Sequence, residues 1–224
     1  MEKESQLAAG APAGAGEAAG RTLVYLARHG QTPLNESDVL RGLADPPLND
    51  TGHEQARRLG AALGPRGLSG VVASPLLRAR QTAQPAAERA GLNVVTDRCL
   101  LDRDYGQWTG TSRASVVAAW GSVDRAPGVE PRSAVRDRAV EGLTEIARRS
   151  RGGTVMVVSH DAVNREVLVG LDAGLGDPDA LPQENGCFNT LEWRAEGWVV
   201  LSVNELPANP DESPGFARPP RFAS

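Results

Sequence analysis

Arg28-His29-Gly30-Gln31-Thr32, with Asn35 close behind, sets a fixed cation, an imidazole and a glycine side by side. Neutral imidazole is a competent nucleophile near pH 7, arginine offers phosphoryl oxygens a planar fork of donors, and glycine lets backbone come close. Attack by His29 on phosphorus would leave a phosphohistidine that water could hydrolyse. Arginine donors can hold the equatorial oxygens and offset their charge without a metal ion. In isolation an Arg-His pair reads more readily as a solvated surface loop. A second cluster shifts that weighing: Arg78 and Arg80 lie between Ser74 and Ala83, at the start of a helix-compatible stretch. Residues two apart do not share a helix face, so only one of these arginines is expected to face the site. A second histidine, His160, closes the apolar run Thr-Val-Met-Val-Val-Ser.

The elements around these residues set their positions. Residues 22–27 form a short, partly β-branched apolar run that leads straight into Arg28 and His29, as a buried strand entering a loop would. Thr51 and Glu54 have capping-box spacing ahead of Ala56, Leu59 and Leu63, which predicts a helix starting there with His53 in its first turn. Residues 71–73 predict another strand, followed by a helix that stops near Gly91. A short strand over 93–96 and a helix over 133–149, with Val135, Ala139, Leu143 and Ile146 on one face, come next. Residues 154–159 give the clearest strand, 161–171 a helix, and 188–193 with 198–203 a hairpin. This alternation predicts an α/β fold of three layers, with a mostly parallel sheet covered by helices on both faces. Ligands bind such sheets beyond the carboxyl ends of the strands, where His29, Ser74 and His160 fall.

Composition narrows the possibilities. A chain of 224 residues suits one domain, expected over 21–206, between an Ala/Gly-rich disordered tail over 1–20 and an irregular Pro-rich tail over 207–224. No apolar run could cross a bilayer and no secretory segment opens the chain, so a cytoplasmic protein without a membrane partner is expected. A net charge of −4 with dispersed basic residues supplies no stripe for nucleic acid. Cys99 and Cys187 are too few for a disulfide framework or a metal-ligand set, so they are expected as ordinary buried thiols. No metal and no cofactor are called for.

Several stretches together resemble the histidine phosphatase, or phosphoglycerate-mutase-like, superfamily. They are Arg28 to Thr32, Asp45-Pro46-Pro47-Leu48 with Gly52 and Gln55-Ala56, the Ser74 to Ala83 block, Gly106-Gln107-Trp108-Thr109-Gly110, and Val157-Val158-Ser159-His160. The resemblance spans most of the chain from Thr22 to about Leu206. It implies a phosphoglycerate-mutase-like fold and His29 as the phosphate-accepting nucleophile, with Arg28, Arg78 and His160 around the phosphate. Asn35 would add a hydrogen bond, and Arg41, in an Arg-Gly loop, is a weaker binding candidate. Arg78 is preferred to Arg80 because it holds the arginine position of the family's Ser-Pro-Leu-x-Arg-Ala pattern.

The proton donor departs from the pattern. Family members commonly place Glu four residues before the glycine that is Gly106 here, and this chain has Asp102, one methylene shorter. Asp161 stands where many members have glycine; the acid-phosphatase branch draws its donor from a His-Asp pair at this point. Asp161 is therefore either a rival acid or a cap on the following helix. For Asp104 a turn is expected. The implied reaction is metal-independent hydrolysis of a small phosphorylated metabolite. A phosphoglycerate mutase is the alternative, although residues 107–132 do not resemble the long basic insertion of the mutases. A non-catalytic phospho-ligand-binding module is the alternative of another class. A homodimer through a sheet edge or an exposed helix is compatible with the sequence.

Overall fold

Val24 and Leu26 point to one side of the first strand and Tyr25 and Ala27 to the other, and all four are buried, so the strand needs cover on both faces. A computed structural model describes residues 20–37 and 39–208; the calls for the two tails fall, apart from Gly20, Pro207 and Ala208, outside them. The elements run β1 (Thr22–Arg28), a single turn α1 (Pro33–Glu36), α2 (Asp50–Leu63), β2 (Gly70–Ala73), α3 (Leu77–Ala90) and β3 (Val94–Thr96). They continue with α4 (Arg113–Trp120), α5 (Arg132–Arg149), β4 (Thr154–Ser159), α6 (Asp161–Leu171), β5 (Phe188–Arg194) and β6 (Gly197–Glu205).

The six strands form one sheet in the order β3-β2-β4-β1-β5-β6. The first four are mutually parallel, β5 runs antiparallel to β1, and β6 closes the hairpin expected from the sequence. On one face Val24, Leu26, Val155 and Val157 pack against Val135, Ala139 and Leu143 of α5 and Val163, Val167 and Leu168 of α6. On the other, Tyr25, Ala27, Met156 and Val158 meet Leu59 and Leu63 of α2 and the alanine stripe Ala79, Ala83, Ala86 and Ala87 of α3. These are the predicted three layers. Leu59, Leu63, Leu143 and Leu168 are wholly buried, each contributing about 2 kcal/mol of apolar transfer.

A third, smaller cluster, in which Leu40 of the loop before α2 joins Tyr105, Val116, Val123 and Ala126, builds a lid mostly from the stretch between β3 and α5. Trp108 packs on this cluster and meets Trp120 edge-on. The predicted start of α2 needs correction: the helix begins at Asp50, and Asn49 caps it by accepting from Gly52 N–H at 2.9 Å. Glu54 is taken up by Arg57 and Arg58 instead. An Asn cap three residues before a glycine lacks the Thr-x-x-Glu signature and was masked by it. Gly91 ends α3 in the left-handed conformation, as its residue type foretold.

Candidate active site

Parallel pairing of β1 with β4 sets Arg28 opposite Ser159, and the His29 N–H continues that ladder onto the Ser159 carbonyl at 3.0 Å. His29 and His160 therefore leave adjacent strands at one level. Their rings lie 5.1 Å apart, centroid to centroid, and neither is exposed. Gly30 explains how the loop turns away so tightly: a Cβ there would stand 2.5 Å from the Gly52 carbonyl oxygen. Its N–H donates to Thr82 of α3. His29 Nδ1 lies 2.7 Å from the Gly30 carbonyl, which can only accept, so Nδ1 carries the proton and Nε2 keeps its lone pair.

Arg78 enters from the first turn of α3, fully buried, whereas Arg80 points to solvent. The expectation that one of the pair would face inward holds. The Arg78 guanidinium donates to the carbonyls of Ala44 (2.6 Å) and Gly42 (3.0 Å) and to Asp102 Oδ2 (2.9 Å). In return Asp45 of the same loop accepts from the Leu77 N–H, capping a helix that has no capping side chain of its own. The loop carrying Arg41 is thus fastened to the first turn of α3 through Leu77 and Arg78. Asp102 Oδ2 also lies 3.7 Å from His160 Nδ1. The acid-bearing stretch is held by Arg138 of α5, which donates to the carbonyls of Cys99, Leu101 and Asp102. Asp104 accepts from Gly106 N–H in the turn expected of it.

Arg28 donates to the Gln183 carbonyl. Gln183 is itself set by a buried amide network, donating to Asn189 Oδ1 (2.8 Å) and accepting from Asn164 (3.2 Å). Asp161 does not cap α6. His160 occupies the cap position, and the Asp161 carboxylate turns to Arg41 at 3.2 Å and Arg28 at 4.0 Å. The Asn35 amide oxygen accepts from the N–H and hydroxyl of Thr32, and among the described residues Asn35 makes no hydrogen bond to the histidines, Arg28 or Arg78. His53 is exposed on α2, away from these residues.

Eight buried side-chain nitrogens and oxygens lack hydrogen-bond partners among the described residues. Six of them are Arg28 Nε, His29 Nε2, Arg41 Nε, Arg78 Nε and the two ring nitrogens of His160. An unsatisfied buried polar atom costs about 1–3 kcal/mol, so this concentration marks a cradle for a ligand rich in acceptor oxygens. A tetrahedral oxyanion would supply oxygens to the arginines and an electrophilic centre to His29 Nε2. Asp161 is kept ionised: Arg28 and Arg41 hold its carboxyl below the usual carboxylate range against the opposing effect of burial. Asp102 goes the other way, because burial outweighs its contact with Arg78 and raises its pKa. Opposite shifts on two neighbouring carboxyls distinguish a group able to carry a proton from one that is a fixed anion. Among the described residues no group of three or more His, Cys, Asp or Glu side chains is arranged to hold a metal ion.

Both imidazoles are held well below their ordinary pKa, first by burial and then by Arg78, with Arg28 adding to His29 and His29 itself to His160. In the unfolded chain each binds a proton as pH drops through about 6.5, while the folded protein resists. The histidines' contribution to stability is therefore present above that pH and is lost as pH falls from there toward the folded pKa. Asp102, with its raised pKa, works against them, but two imidazoles oppose one carboxyl. The melting temperature of the unliganded protein is expected to fall between pH 7.5 and pH 5.5, and to fall less in His160→Asn. An equal fall in both proteins would remove His160 as a source of the effect.

A cavity of about 360 Å³ opens beside the cradle, lined by Arg41, Asp102 and Asp161 together with Tyr105, Arg113 and Arg165. Cys187 is buried and Cys99 partly so, and both thiols are free. No described helix is long and apolar enough to cross a membrane.

The model of a family described as the histidine phosphatase superfamily (branch 1) matches residues 24–206. An uncharacterised phosphatase of Bacillus subtilis is 29% identical over 183 residues, which cover 82% of this chain and 94% of that one. A bifunctional protein of Mycobacterium tuberculosis is 34% identical over 187 residues; the match covers 79% of this chain and 51% of that protein, so the chain spans about half its length. Other relatives are named as phosphoglycerate mutases. Among solved structures, a mycobacterial glucosyl-3-phosphoglycerate phosphatase, described as complexed with VO3, superposes with a TM-score of 0.70 at 27% identity over 83% of this chain and 99% of that one.

Proposed function

Because the chain belongs to the histidine phosphatase superfamily, we propose that it hydrolyses a small phosphomonoester through a phosphohistidine on His29. The observation that carries this is the gathering of unpartnered, buried Arg28, Arg41 and Arg78 nitrogens with the lone pair of His29 Nε2 and with both nitrogens of His160. The arginines and His160 take the nonbridging oxygens. His29 Nε2 attacks phosphorus, the ester P–O bond breaks, and Asp102 gives its proton to the leaving alkoxide. The Asp102 carboxylate then takes a proton from the water that attacks the phosphohistidine, releasing phosphate and restoring the acid. Asp161 stays ionised throughout, aligning Arg41 and Arg28. Asn35 orders the turn after Thr32, and its amide nitrogen, without a hydrogen-bond partner among the described residues, donates to a phosphate oxygen.

The same cradle serves a mutase, which returns the phosphoryl group to a bound product. Hydrolysis is favoured because the segment between Gln107 and Arg132 is short and does not resemble the long basic insertion of the mutases. A recognition module is disfavoured because nucleophile, oxygen-holding groups and a proton-bearing carboxyl are all present. The cavity volume of about 360 Å³ suits a metabolite rather than a macromolecule.

The test is a trapping experiment with a phosphomonoester labelled in the phosphoryl group, quenched in base. Acid-labile label on His29 together with steady phosphate release is the expected result. Label that is discharged only on addition of a phosphorylated acceptor would make the protein a mutase. Absence of both label and release across several esters would leave a binding module.

A further inference from the structure

We propose that the cavity beside the phosphate cradle holds a second anionic group of the substrate, a carboxylate or a second phosphate, between Arg165 of α6 and Arg113 of α4. This rests on the cradle itself binding the scissile phosphate. Among the cavity's other cationic side chains the charge is already matched. Arg41 pairs with Asp161, and Arg103 with Asp124 at 2.7 Å. Arg132 reaches Asp124, Glu166 and Asp179, and Glu166 is shared further with Arg136. Arg165 and Arg113 line the same cavity with no ion pair and no hydrogen bond among the described residues, and Arg165 Nε is one of the two remaining buried nitrogens and oxygens without a partner outside the cradle.

Position strengthens the case. Arg165 comes one helical turn after Asp161, so it shares the face of α6 that looks onto the cradle. It also lines a second opening whose wall includes Arg28 and Gln31. Arg165 thus borders both openings next to the phosphate-holding residues, and Arg113 lines the cavity from α4 of the lid. Of the three arginines between Thr111 and Arg132, Arg132 is consumed by its carboxylates, Arg125 lies outside the cavity, and Arg113 alone lines it without an ion pair among the described residues.

Calorimetric binding to the full chain carrying His29→Ala, which prevents turnover, compares three probes: methyl phosphate, phosphoglycolate and propane-1,3-diyl bisphosphate. At least one doubly charged probe is expected to bind tenfold or more tightly than methyl phosphate. That ratio is expected to collapse toward one in Arg165→Met with Arg113→Met and to recover in part in Arg165→Lys. A gain with phosphoglycolate alone identifies a carboxylate site, and a gain with the bisphosphate alone a phosphate site. No gain with either probe, or a gain that survives both methionine substitutions in a protein with an unchanged melting profile, overturns the proposal. Failure of methyl phosphate itself to bind would strike the cradle instead, and the second site with it.

Discussion

Replacement of His29 by alanine is expected to lower hydrolysis of an aryl phosphate at least about 10³-fold, a loss of about 4 kcal/mol of barrier lowering, while inorganic phosphate still binds. The two outcomes separate because the groups that hold oxygen and the atom that attacks phosphorus are different. Arg28, Arg41 and Arg78 are anchored by the Gln183 carbonyl, by Asp161, and by Gly42, Ala44 and Asp102, none of which involves the His29 ring. Among the described residues the ring's only hydrogen bond is its Nδ1 contact to the Gly30 carbonyl. Steady-state rates and phosphate titrations on wild type and variant decide the point. Retention of more than about one per cent of the rate would mean that water attacks phosphorus directly, with no covalent step of the kind that nucleophilic catalysis supplies.

Asp102→Asn is expected to cost about 10²–10⁴-fold in kcat for an alkyl phosphate, the range typical of a lost general acid, and far less for an ester whose leaving group needs no proton. Asp161→Asn is expected to change kcat by less than about tenfold and to act mainly on KM, because it loosens Arg41 and Arg28 and not the proton supply. The two carboxyls also differ in pH behaviour. Burial raises the pKa of Asp102, so its acid form persists above the ordinary carboxyl range and activity falls as pH rises through that pKa. Asp161 is held ionised by its arginines and contributes no such limb. A pH profile that keeps its alkaline limb in Asp102→Asn and loses it in Asp161→Asn would reverse the assignment. Asparagine is the substitution to use, since it retains a hydrogen-bonding oxygen for Arg78 in a site where leaving a buried charge wholly unpaired costs about 3–5 kcal/mol.

The parts of the site that could be read from the chain are those in which local pattern and chemistry coincide. Apolar runs ending at His29 and at His160 announced two strand termini, and the two-residue spacing of Arg78 and Arg80 announced that only one could be buried. What escaped were groups brought in from far along the chain. Asp45 caps α3 across 32 positions, Arg138 fixes the Asp102 stretch from α5 across 36, and Gln183 orients Arg28 across 155. Arg138 and Gln183 lie in no motif, and Asp45, although part of the Asp45-Pro46-Pro47-Leu48 stretch, carries no local sign of the helix it caps, so neither hydrophobic spacing nor capping rules can single these contacts out. Asp161 shows the opposite failure: its place after a strand suggested a cap, but two nearby guanidiniums competed for the carboxylate and won. Family resemblance supplied the roles of Asn35 and Arg41. The structure joins Arg41 to the cluster through Asp161 and ties Asn35 to Thr32.

Because neither imidazole reaches solvent, reactants must queue. Under the proposed mechanism the leaving alcohol would occupy the cavity lined by Asp102 and Asp161, and the water of the second half-reaction would use the same approach after it. On that reading, departure of the alcohol would open the way for water, and phosphate would leave last. Any hydroxyl compound small enough to enter the vacated corridor competes with water for the phosphohistidine, so the partition between hydrolysis and transfer is governed by occupancy of that passage. A chain with these buried histidines can drift between the two outcomes through changes in the corridor's lining while its cradle stays untouched.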